Sequence, residues 1–312
     1  MIDAYVYITD DLLFFFLGSA FIYLFALVVA SHLKRVDYTP SKRQYRYAIL
    51  VPAPSSLPAS YPEYHFIVYG DLFKAIDGLD EQSYDIAIML DSSVRHLPDN
   101  LLSEIDKVYD AGIQAIQLHT VAHNCKGPHR YLPALQAETN NSFFCKGNSR
   151  LGLSSMLSGT NMAIDLRWLQ ENLKSNRSNL ERKLLIQHIY IEYLPNVIIQ
   201  AESPLVHSYK RPKRKVVSDL LPSLLEGNWS FFNRIVQQLI PSPLFFCIFT
   251  GIWTIFLTGY EWPLSLKWWI LLFLLSVTYS LAIPDYLIED KNKKSLLWKR
   301  THSNKNSSNT RP

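Results

Sequence analysis

The feature that most constrains this chain is an uncharged apolar run near its start. Residues 12–33, LLFFFLGSAFIYLFALVVASHL, contain no Asp, Glu, Lys or Arg. At about 1.5 Å per residue, such a helix crosses a hydrocarbon core of roughly 30 Å. A cleaved signal peptide is the alternative, but the preceding residues carry Asp3, Asp10 and Asp11 and no basic residue, and the run exceeds a typical signal core. We therefore predict a transmembrane helix within residues 1–35.

Two later apolar segments, Pro243–Tyr260 and Leu266–Ile288, predict two more spans. Basic residues follow the first and the third span, whereas the connection between the second and third offers only Lys267. By the positive-inside rule the N-terminus lies outside, and the central region and the tail lie in the cytosol. We therefore predict an integral protein of a plasma or inner membrane, with three spans in contact with the lipid bilayer.

Charge and cysteine content narrow the function classes. The net charge of +4 comes largely from residues that flank the spans, so it indicates topology more than a nucleic-acid partner. The run KRPKRK, Lys210–Lys215, is compatible with a nuclear or nucleic-acid patch, but in a membrane protein it favours a membrane-facing or phosphate-facing role. Three cysteines without a CxxC pair fit reduced thiols. We predict no nucleic-acid partner.

Residues 36–221, between the first span and the later ones, alternate strand-like and helix-like segments. Residues 47–53, 64–70 and 84–90 are apolar runs closed by Pro, Gly or Asp, which predict strands buried on both faces. LPDNLLSEIDKVYDAG predicts an amphipathic helix capped by Asp99, and IQAIQLHT a fourth strand. We predict an α/β cytosolic domain with a mostly parallel sheet, trimmed because only ten residues join its first two strands.

The remaining segments flank the later spans. Residues 222–242 predict an interfacial amphipathic helix with Trp229, Phe231 and Phe232 on its apolar face, and a plain core helix is the alternative. Residues 243–288 contain the second and third spans. The polar, basic residues 289–312 predict a disordered cytosolic tail.

Four stretches, in this order, resemble membrane-bound glycosyltransferases of family 2, the group that includes cellulose and hyaluronan synthases. They are YDIAIMLDSS, AGIQAIQLHTVAHN, ETNNSFFCKGNSRLGLSSMLSGTNMAI and LERKLLIQHIYIEYLPNVII. The resemblance implies a GT-A-like, Rossmann-like fold and transfer of a sugar from a nucleotide sugar to a glycan or lipid acceptor. It also implies Mg²⁺ or Mn²⁺ as a cofactor, because a diphosphate leaving group develops negative charge.

The resemblance assigns the nucleotide-sugar side of the site to the ends of two strands. Asp91 matches the first carboxylate of the DxD motif and is the candidate metal ligand, whereas Ser93 replaces the second carboxylate. Asp71, after the second strand, is the candidate for base recognition, because ligands bind at the carboxyl ends of parallel strands. A role for Asp91 as a simple cap of the next turn remains open.

Two other segments correspond to the acceptor and phosphate sides. Gly159, Thr160 and Asn161 match an acceptor-side turn of the family, although a helix start capped by Thr160 is the alternative. Arg211 or Arg214, in the Lys210–Lys215 run, loosely matches the family's QxxRW motif and is the candidate for phosphate binding.

The catalytic base of the family has no clear counterpart. The chain reads SNRSN where the family has an aspartate, and Glu181 is the nearest acid. Losing a charge-stabilising group costs about 10²- to 10³-fold in rate, and losing a base about 10²- to 10⁴-fold. We therefore predict weakened or lost transfer activity. The alternatives are an inactive scaffold or hetero-oligomeric partner of a polysaccharide synthase, and a membrane adaptor unrelated to glycans.

Metal binding of another kind is suggested by His119, His123 and Cys125, which lie close together in the sequence. Zinc sites use such side chains. In a strand followed by a loop, however, the two histidines share no helical face, so zinc remains an alternative only.

Overall fold

The computed structural model of the chain describes residues 2–34, 37–53, 57, 64–123, 128–158, 160–173, 180–202, 213–240, 243–284 and 287. The strands are β1 Tyr47–Pro52, β2 Phe66–Tyr69, β3 Ile86–Met89, β4 Val94–His96, β5 Ala115–Ala122, β6 Met162–Asp165 and β7 Ile191–Ala201. The helices are α1 Ile2–Ser31, α2 Leu72–Asp77, α3 Leu101–Asp110, α4 Pro128–Asn140, α5 Asn148–Arg150, α6 Leu166–Asn172, α7 Leu180–Ile186, α8 Lys213–Ser218, α9 Leu220–Leu225, α10 Trp229–Leu239, α11 Pro243–Tyr260 and α12 Trp262–Ala282. A π-helix, Asn141–Gly147, joins α4 to α5.

The strands form one mixed sheet in the order β2-β1-β3-β6-β5-β7-β4. β1 runs parallel to both β2 and β3, and β5 runs parallel to β7. β6 is antiparallel to both β3 and β5, and β4 is antiparallel to β7. The α/β architecture is confirmed, but the prediction of a mostly parallel sheet is wrong. The physical reason is β6. It lies between β3 and β5, which point in the same direction, and it is antiparallel to both.

β1 and β3 lie where the sequence predicts them, because their side chains are buried on both faces of the sheet. Leu50, Ala87 and Met89 contribute to one core cluster, and Ile49 and Ile88 contribute to the other. A strand covered on both faces requires apolar residues at successive positions. The continuous apolar runs of β1 and β3 thus indicate their inner positions correctly. The prediction that the second strand is buried on both faces is wrong, because β2 is an edge strand and Val68 is 62 % exposed.

β7 is one continuous strand although it contains a proline. Its pairing with β5 shifts between Leu118 and His119, which pair with Leu194 and Ile198. Pro195 lies in the resulting bulge, where a proline is tolerated because no ladder hydrogen bond from its nitrogen is needed. Pro195 therefore marks an irregularity inside a continuous strand.

The apolar helices pack together beside the sheet domain. Two of them, Tyr5–Ser31 and Trp262–Ala282, are long and apolar enough to cross a bilayer, while the apolar part of α11, Phe245–Tyr260, is shorter. This result hints at membrane association and supports two of the three predicted spans. Asp10 of α1 is buried among these helices and accepts hydrogen bonds from the indole nitrogens of Trp253 in α11 and Trp268 in α12, at 3.1 and 2.7 Å.

The sheet domain touches α1 through the π-helix. A Cβ built on Gly147 would lie 2.5 Å from the carbonyl oxygen of Leu27, so the two backbones meet without a side chain between them. The hydroxyl of Ser142 donates to the carbonyl of Ala282, at the end of α12, at 2.7 Å. The π-helix is therefore the direct junction between the domain and the apolar helices.

Two local predictions differ from the structure. Asn100, not Asp99, is the N-cap residue of α3, and it makes no side-chain cap hydrogen bond. Residues 222–242 contain the end of α9 and all of α10, separated by Gly227 at φ +67°. Asn228 caps α10 through a hydrogen bond from the backbone nitrogen of Phe231, and the side chain of Phe231 faces the core. The segment thus turns sharply where one helix was predicted.

Candidate functional site

Asp91 lies at the carboxyl edge of the sheet, two residues beyond Met89, the last residue of β3. β1 and β2 end at the same edge because they run parallel to β3. The antiparallel β6 begins there. The topology thus brings residues 71, 91 and 161, which are far apart in sequence, to one edge of the sheet.

The Asp91 carboxylate is held on one side by Ser93. Its Oδ2 accepts hydrogen bonds from the backbone nitrogen of Ser93 at 3.2 Å and from the Ser93 hydroxyl at 2.5 Å. The capping role of Asp91, left open by the sequence, is therefore present. Oδ1 has no hydrogen-bond partner within the described parts of the chain, so this oxygen remains available to a cation.

Asn161 supports Asp91 from the neighbouring strand. Its Oδ1 accepts a hydrogen bond from the backbone nitrogen of Asp91 at 2.9 Å, and its Nδ2 donates to Oγ1 of Thr120 at 2.9 Å. The side chain is 2 % exposed, and the backbone has φ +51°, a region in which asparagine is favoured among non-glycine residues. Asn161 therefore links the ends of β3 and β5 at the start of β6.

The segment around Asn161 is a turn into a strand. β6 begins at Met162, so the alternative of a helix start capped by Thr160 is wrong. Thr160 is buried, and its carbonyl accepts from the Ser158 hydroxyl at 2.9 Å. Gly159 lies outside the described residues. Acceptor binding by these three residues stays a prediction.

Gln117 is a site residue that the sequence reasoning missed. Its Oε1 accepts from the backbone nitrogen of Ser158 at 2.9 Å, and its Nε2 donates to the carbonyls of Thr160 and Asn161 at 3.2 and 3.3 Å. It is 4 % exposed within a strand that is otherwise largely apolar. A buried polar side chain needs partners, so the glutamine inside AIQLHT was the available signal.

Asp71 is the N-cap residue of α2 and follows β2, the edge strand of the sheet. Its Oδ1 accepts a hydrogen bond from the backbone nitrogen of Phe73 at 3.0 Å, and the residue is exposed. It follows β2 at the same edge as Asp91, two strands away in the sheet order. Base recognition by Asp71 stays a prediction.

Glu181 is held by a buried cation. Its Oε1 lies 2.9 Å from Nε of Arg234 in α10 and accepts from the backbone nitrogen of Leu157 at 3.0 Å. The two side chains are only 14 % and 7 % exposed. Arg234 Nε makes an ion pair here without a well-aligned hydrogen bond. A carboxylate held in this way positions Leu157, ahead of the turn that contains Asn161. Catalysis by Glu181 stays a prediction. Residues 175–179, where the family base is expected, lie outside the described residues.

The side chains of both phosphate-binding candidates lie outside the described part of the structure. Residue 211 lies outside the described residues, and Arg214 belongs to α8 by its backbone. Phosphate binding by Arg211 or Arg214 stays a prediction.

His119 is part of a buried pair rather than of a metal cluster. Its Nε2 lies 3.0 Å from Oε1 of Glu138 in α4, and its Nδ1 lies 3.2 Å from the carbonyl of Pro195. Burial alone would lower the pKa of His119, but the hydrogen bond and the charge of Glu138 raise it above its ordinary value. His123 is exposed and pairs with Gln200, and residue 125 lies outside the described residues. Within the described ranges, no three His, Cys, Asp or Glu side chains cluster as metal ligands.

A cavity of about 430 Å³ lies at the other end of the sheet. It is lined by residues before β7, among them Tyr190, and by the turn that carries Asn228 and Trp229. Because β7 runs in the same direction as β3, its beginning lies at the edge opposite to Asp91. The cavity is therefore separate from the residues around Asp91.

The chain is similar to known glycosyltransferases. A family model described as glycosyl transferase family group 2 matches residues 86–281, more than half of the chain. Among solved structures, the chain is similar to the mannosyltransferase PcManGT from Pyrobaculum calidifontis, determined in complex with GDP-mannose and Mn²⁺. The sequence identity is 12 % and the TM-score 0.45, over 88 % of this chain and 96 % of that one. No curated protein sequence matches the chain significantly.

Proposed function

We propose, on the premise that the chain belongs to glycosyl transferase family group 2, that it binds a nucleotide sugar at the carboxyl edge of its sheet and takes part in sugar transfer to a glycan or lipid acceptor. The observation that carries the proposal is the position of Asp91 beside Asn161, with the Asp91 Oδ1 open within the described parts of the chain. Ligands of open α/β sheets bind at this edge.

The residues present fit a divalent cation held by one carboxylate. Mg²⁺ is often bound through one or two carboxylates together with substrate phosphates, and Asp91 offers one such oxygen. The hydroxyl group of Ser93 donates a hydrogen bond to the Asp91 carboxylate and thereby fixes the orientation of that carboxylate. When bound, Mg²⁺ or Mn²⁺ would neutralise charge on the diphosphate leaving group. Asp71 would contact the base, and Arg211 or Arg214 the diphosphate.

Thr160 and Asn161 would face the acceptor, together with Gly159. In this arrangement Asn161 would contact the acceptor and would also accept the hydrogen bond from the backbone nitrogen of Asp91. A glycan hydroxyl or a lipid phosphate at this turn would therefore lie beside the nucleotide-sugar site.

A second candidate function is that of an inactive partner of a polysaccharide synthase. The ion pair of Glu181 with Arg234 favours it, because the nearest acid to the expected base is held by a buried cation. Such a chain would retain nucleotide-sugar or glycan binding while a hetero-oligomeric partner performs the transfer.

We also propose three membrane spans, with the N-terminus outside and the sheet domain and C-terminus in the cytosol. α11 is 18 residues long, about 27 Å at 1.5 Å per residue, which is slightly less than the hydrocarbon thickness. Trp253 of α11 and Trp268 of α12 both donate to Asp10 of α1, so α11 packs with the two longer helices rather than apart from them. Basic residues after the first and third spans support this orientation.

Direct binding tests the proposed nucleotide-sugar site. We expect detergent-purified protein to bind UDP or GDP more tightly with Mn²⁺ than without it, as measured by calorimetry. Asp91→Asn should weaken the Mn²⁺-dependent binding by about tenfold or more, since even losing an outer-shell partner of a metal ligand costs this much.

The matched control is Asp77→Asn, an equal change of charge at an exposed residue of α2. It should leave binding unchanged. Absence of nucleotide binding by the unaltered protein, with and without Mn²⁺, would contradict the proposal. If nucleotide binding is present and depends on Asp91, the next step is a search for the donor sugar and the acceptor. Transfer of a sugar would identify an active enzyme, and binding without transfer would identify an inactive partner.

A further inference from the structure

The cavity of about 430 Å³ at the start of β7 has no part in the proposed function. Three turns meet around it: the turn after α5, the turn between α7 and β7, and the turn between α9 and α10. Each contributes one residue with positive φ, namely Gly152 at +72°, His188 at +57° and Gly227 at +67°. Pockets for small molecules commonly enclose about 300–1,000 Å³. The cavity therefore has the size of a site for one small ligand.

The lining of the cavity is uncharged. Within the described part of the chain, its residues include no Asp, Glu, Lys or Arg. Removing a charged group from water is costly unless an opposite charge or hydrogen bonds replace the water. A phosphate, a carboxylate or an ammonium group would find no charged partner here, so the lining favours a neutral ligand.

Two aromatic side chains form part of the wall. Trp229 is 62 % exposed, and its ring lies edge to face with that of Phe232, with the ring centroids 6.3 Å apart. The hydroxyl of Tyr190 makes hydrogen bonds with Ser149 and Glu192, which do not line the cavity. Tyr190 therefore presents its ring to the cavity, and the two rings provide apolar faces for a ligand.

Polar groups at the cavity have hydrogen-bonding capacity left over. Oγ of Ser154, a residue that is 6 % exposed, accepts from the backbone nitrogen of Ile191 at 3.3 Å. Oγ of Ser230 accepts from the backbone nitrogen of Ser154 at 3.1 Å. Neither hydroxyl has an acceptor for its own proton among the described residues, and the side chains of His188 and Trp229 have no hydrogen-bond partner there either. Buried polar groups are normally paired, so a ligand with hydroxyl groups would complete the site.

We propose that this cavity binds a neutral saccharide, with one sugar ring against Trp229 and Tyr190 and its hydroxyl groups bonded to Ser154, Ser230 and His188. A sugar ring matches both kinds of lining, because its C–H groups form apolar faces and each of its hydroxyl groups can donate and accept a hydrogen bond. The inference goes beyond the nucleotide-sugar site proposed above and does not require that site to work.

A saccharide in the cavity would not contact Asp91. β7 lies three places from β3 in the sheet order, about 14 Å at 4.8 Å per strand, and the cavity lies at the opposite edge of the sheet. A sugar bound there is held away from the proposed transfer site. The cavity would therefore serve as an anchoring site for a glycan.

Saturation-transfer NMR with neutral saccharides as probes tests the site. The full chain is reconstituted into phosphatidylcholine nanodiscs free of sugar-based detergent, and glucose, mannose, galactose or N-acetylglucosamine is added at millimolar concentration. We expect saturation to reach the ring protons of at least one of these sugars. The corresponding uronate should give about a third of that signal or less, because the lining has no partner for its carboxylate.

Variants of the wall locate the bound sugar. Trp229→Ala should weaken binding about threefold or more, because it removes an aromatic face. The matched control is Trp262→Ala, since Trp262 is 61 % exposed and is the first residue of α12, as Trp229 is of α10. This control should leave binding unchanged, and the melting temperatures of both variants report whether they remain folded. His188→Gly is the second variant of the cavity; it tolerates the positive φ and should also weaken binding.

Three results would overturn the inference. Absence of saturation transfer to all four sugars would show that the cavity takes no neutral saccharide. A uronate signal as strong as that of the neutral sugar would contradict the role of the uncharged lining. Unchanged binding by both Trp229→Ala and His188→Gly would place the sugar elsewhere.

Asp91→Asn separates the cavity from the nucleotide-sugar site. A saccharide signal that persists in this variant supports the cavity, whereas a signal lost in Asp91→Asn and kept in Trp229→Ala would assign the sugar to the carboxyl edge of the sheet and contradict the inference. Mn²⁺-dependent nucleotide binding, measured on the same discs, reports separately on the proposed function.

Discussion

At the scale of single residues, Asn161 determines the geometry of the candidate site. It combines a positive φ with two side-chain hydrogen bonds, one to the backbone of Asp91 and one to Thr120. A glycine tolerates this backbone but provides no hydrogen bonds, whereas an alanine has neither advantage. The two substitutions therefore separate backbone strain from support of Asp91.

We expect Asn161→Gly to weaken Mn²⁺-dependent nucleotide binding and to lower the unfolding free energy by about 1–3 kcal/mol, the usual result of leaving buried polar groups unsatisfied. Asn161→Ala should weaken binding similarly and lower stability by roughly a further 1 kcal/mol, because alanine resists positive φ. Denaturant titration in detergent and calorimetry measure the two effects. Full binding by Asn161→Gly would show that Asp91 needs no support from this side chain.

The site could be predicted only in part at this scale. Asp91 and the Thr160–Asn161 turn were found because their sequence neighbours resemble a known family. Gln117 and Thr120 were missed, since a polar residue within a strand indicates a buried partner without indicating which one. The contact of Glu181 with Arg234 joins residues 53 positions apart in the chain (234 − 181), and no local pattern encodes it.

At the scale of elements, the pair of His119 and Glu138 fastens α4 to the bulge between β5 and β7. The raised pKa of His119 means that the folded state favours its charged form. Its contribution to stability is therefore complete below the ordinary value of about 6.5 and is lost as the pH rises through the higher value of the folded state. Lys146 opposes the charge of His119, and the carbonyl of Pro195 supports it.

We expect the melting temperature of the protein to fall as the pH rises above the ordinary histidine pKa of about 6.5 and through the higher pKa of His119 in the folded state. His119→Gln should be less stable at low pH and should show a smaller fall. His123→Gln, at an exposed position, is the matched control and should keep the full dependence. Parallel pH profiles for the protein and for His119→Gln would show that the pair does not stabilise α4.

Elements were predictable where one physical signal dominated. β1 and β3 were found because strands buried on both faces are continuously apolar. β6 was missed because three apolar residues and an aspartate before a helix do not distinguish strand from helix. Its absence from the prediction also hid the antiparallel pairs of the sheet. The π-helix has no periodicity that the sequence reveals, since it is defined by backbone hydrogen bonds.

At the scale of the whole molecule, the proposed three-span topology rests on the apolar helices and on the basic residues that flank them. With three spans, a reporter fused after Pro312 lies in the cytosol and one fused before residue 2 lies outside. We expect alkaline phosphatase to be inactive and green fluorescent protein to be fluorescent at the C-terminal position. The reverse pattern would indicate an even number of spans and would move α11 out of the membrane.

The contact between Gly147 and Leu27 fixes the position of the sheet domain against α1. No side chain separates these two backbones, so tilting the domain would either open or compress a contact between main-chain atoms, and packed interfaces resist such changes. The junction therefore does not act as a hinge. In the membrane arrangement proposed above, Asp91 would therefore stay at one height above the bilayer, and an acceptor would have to rise to it.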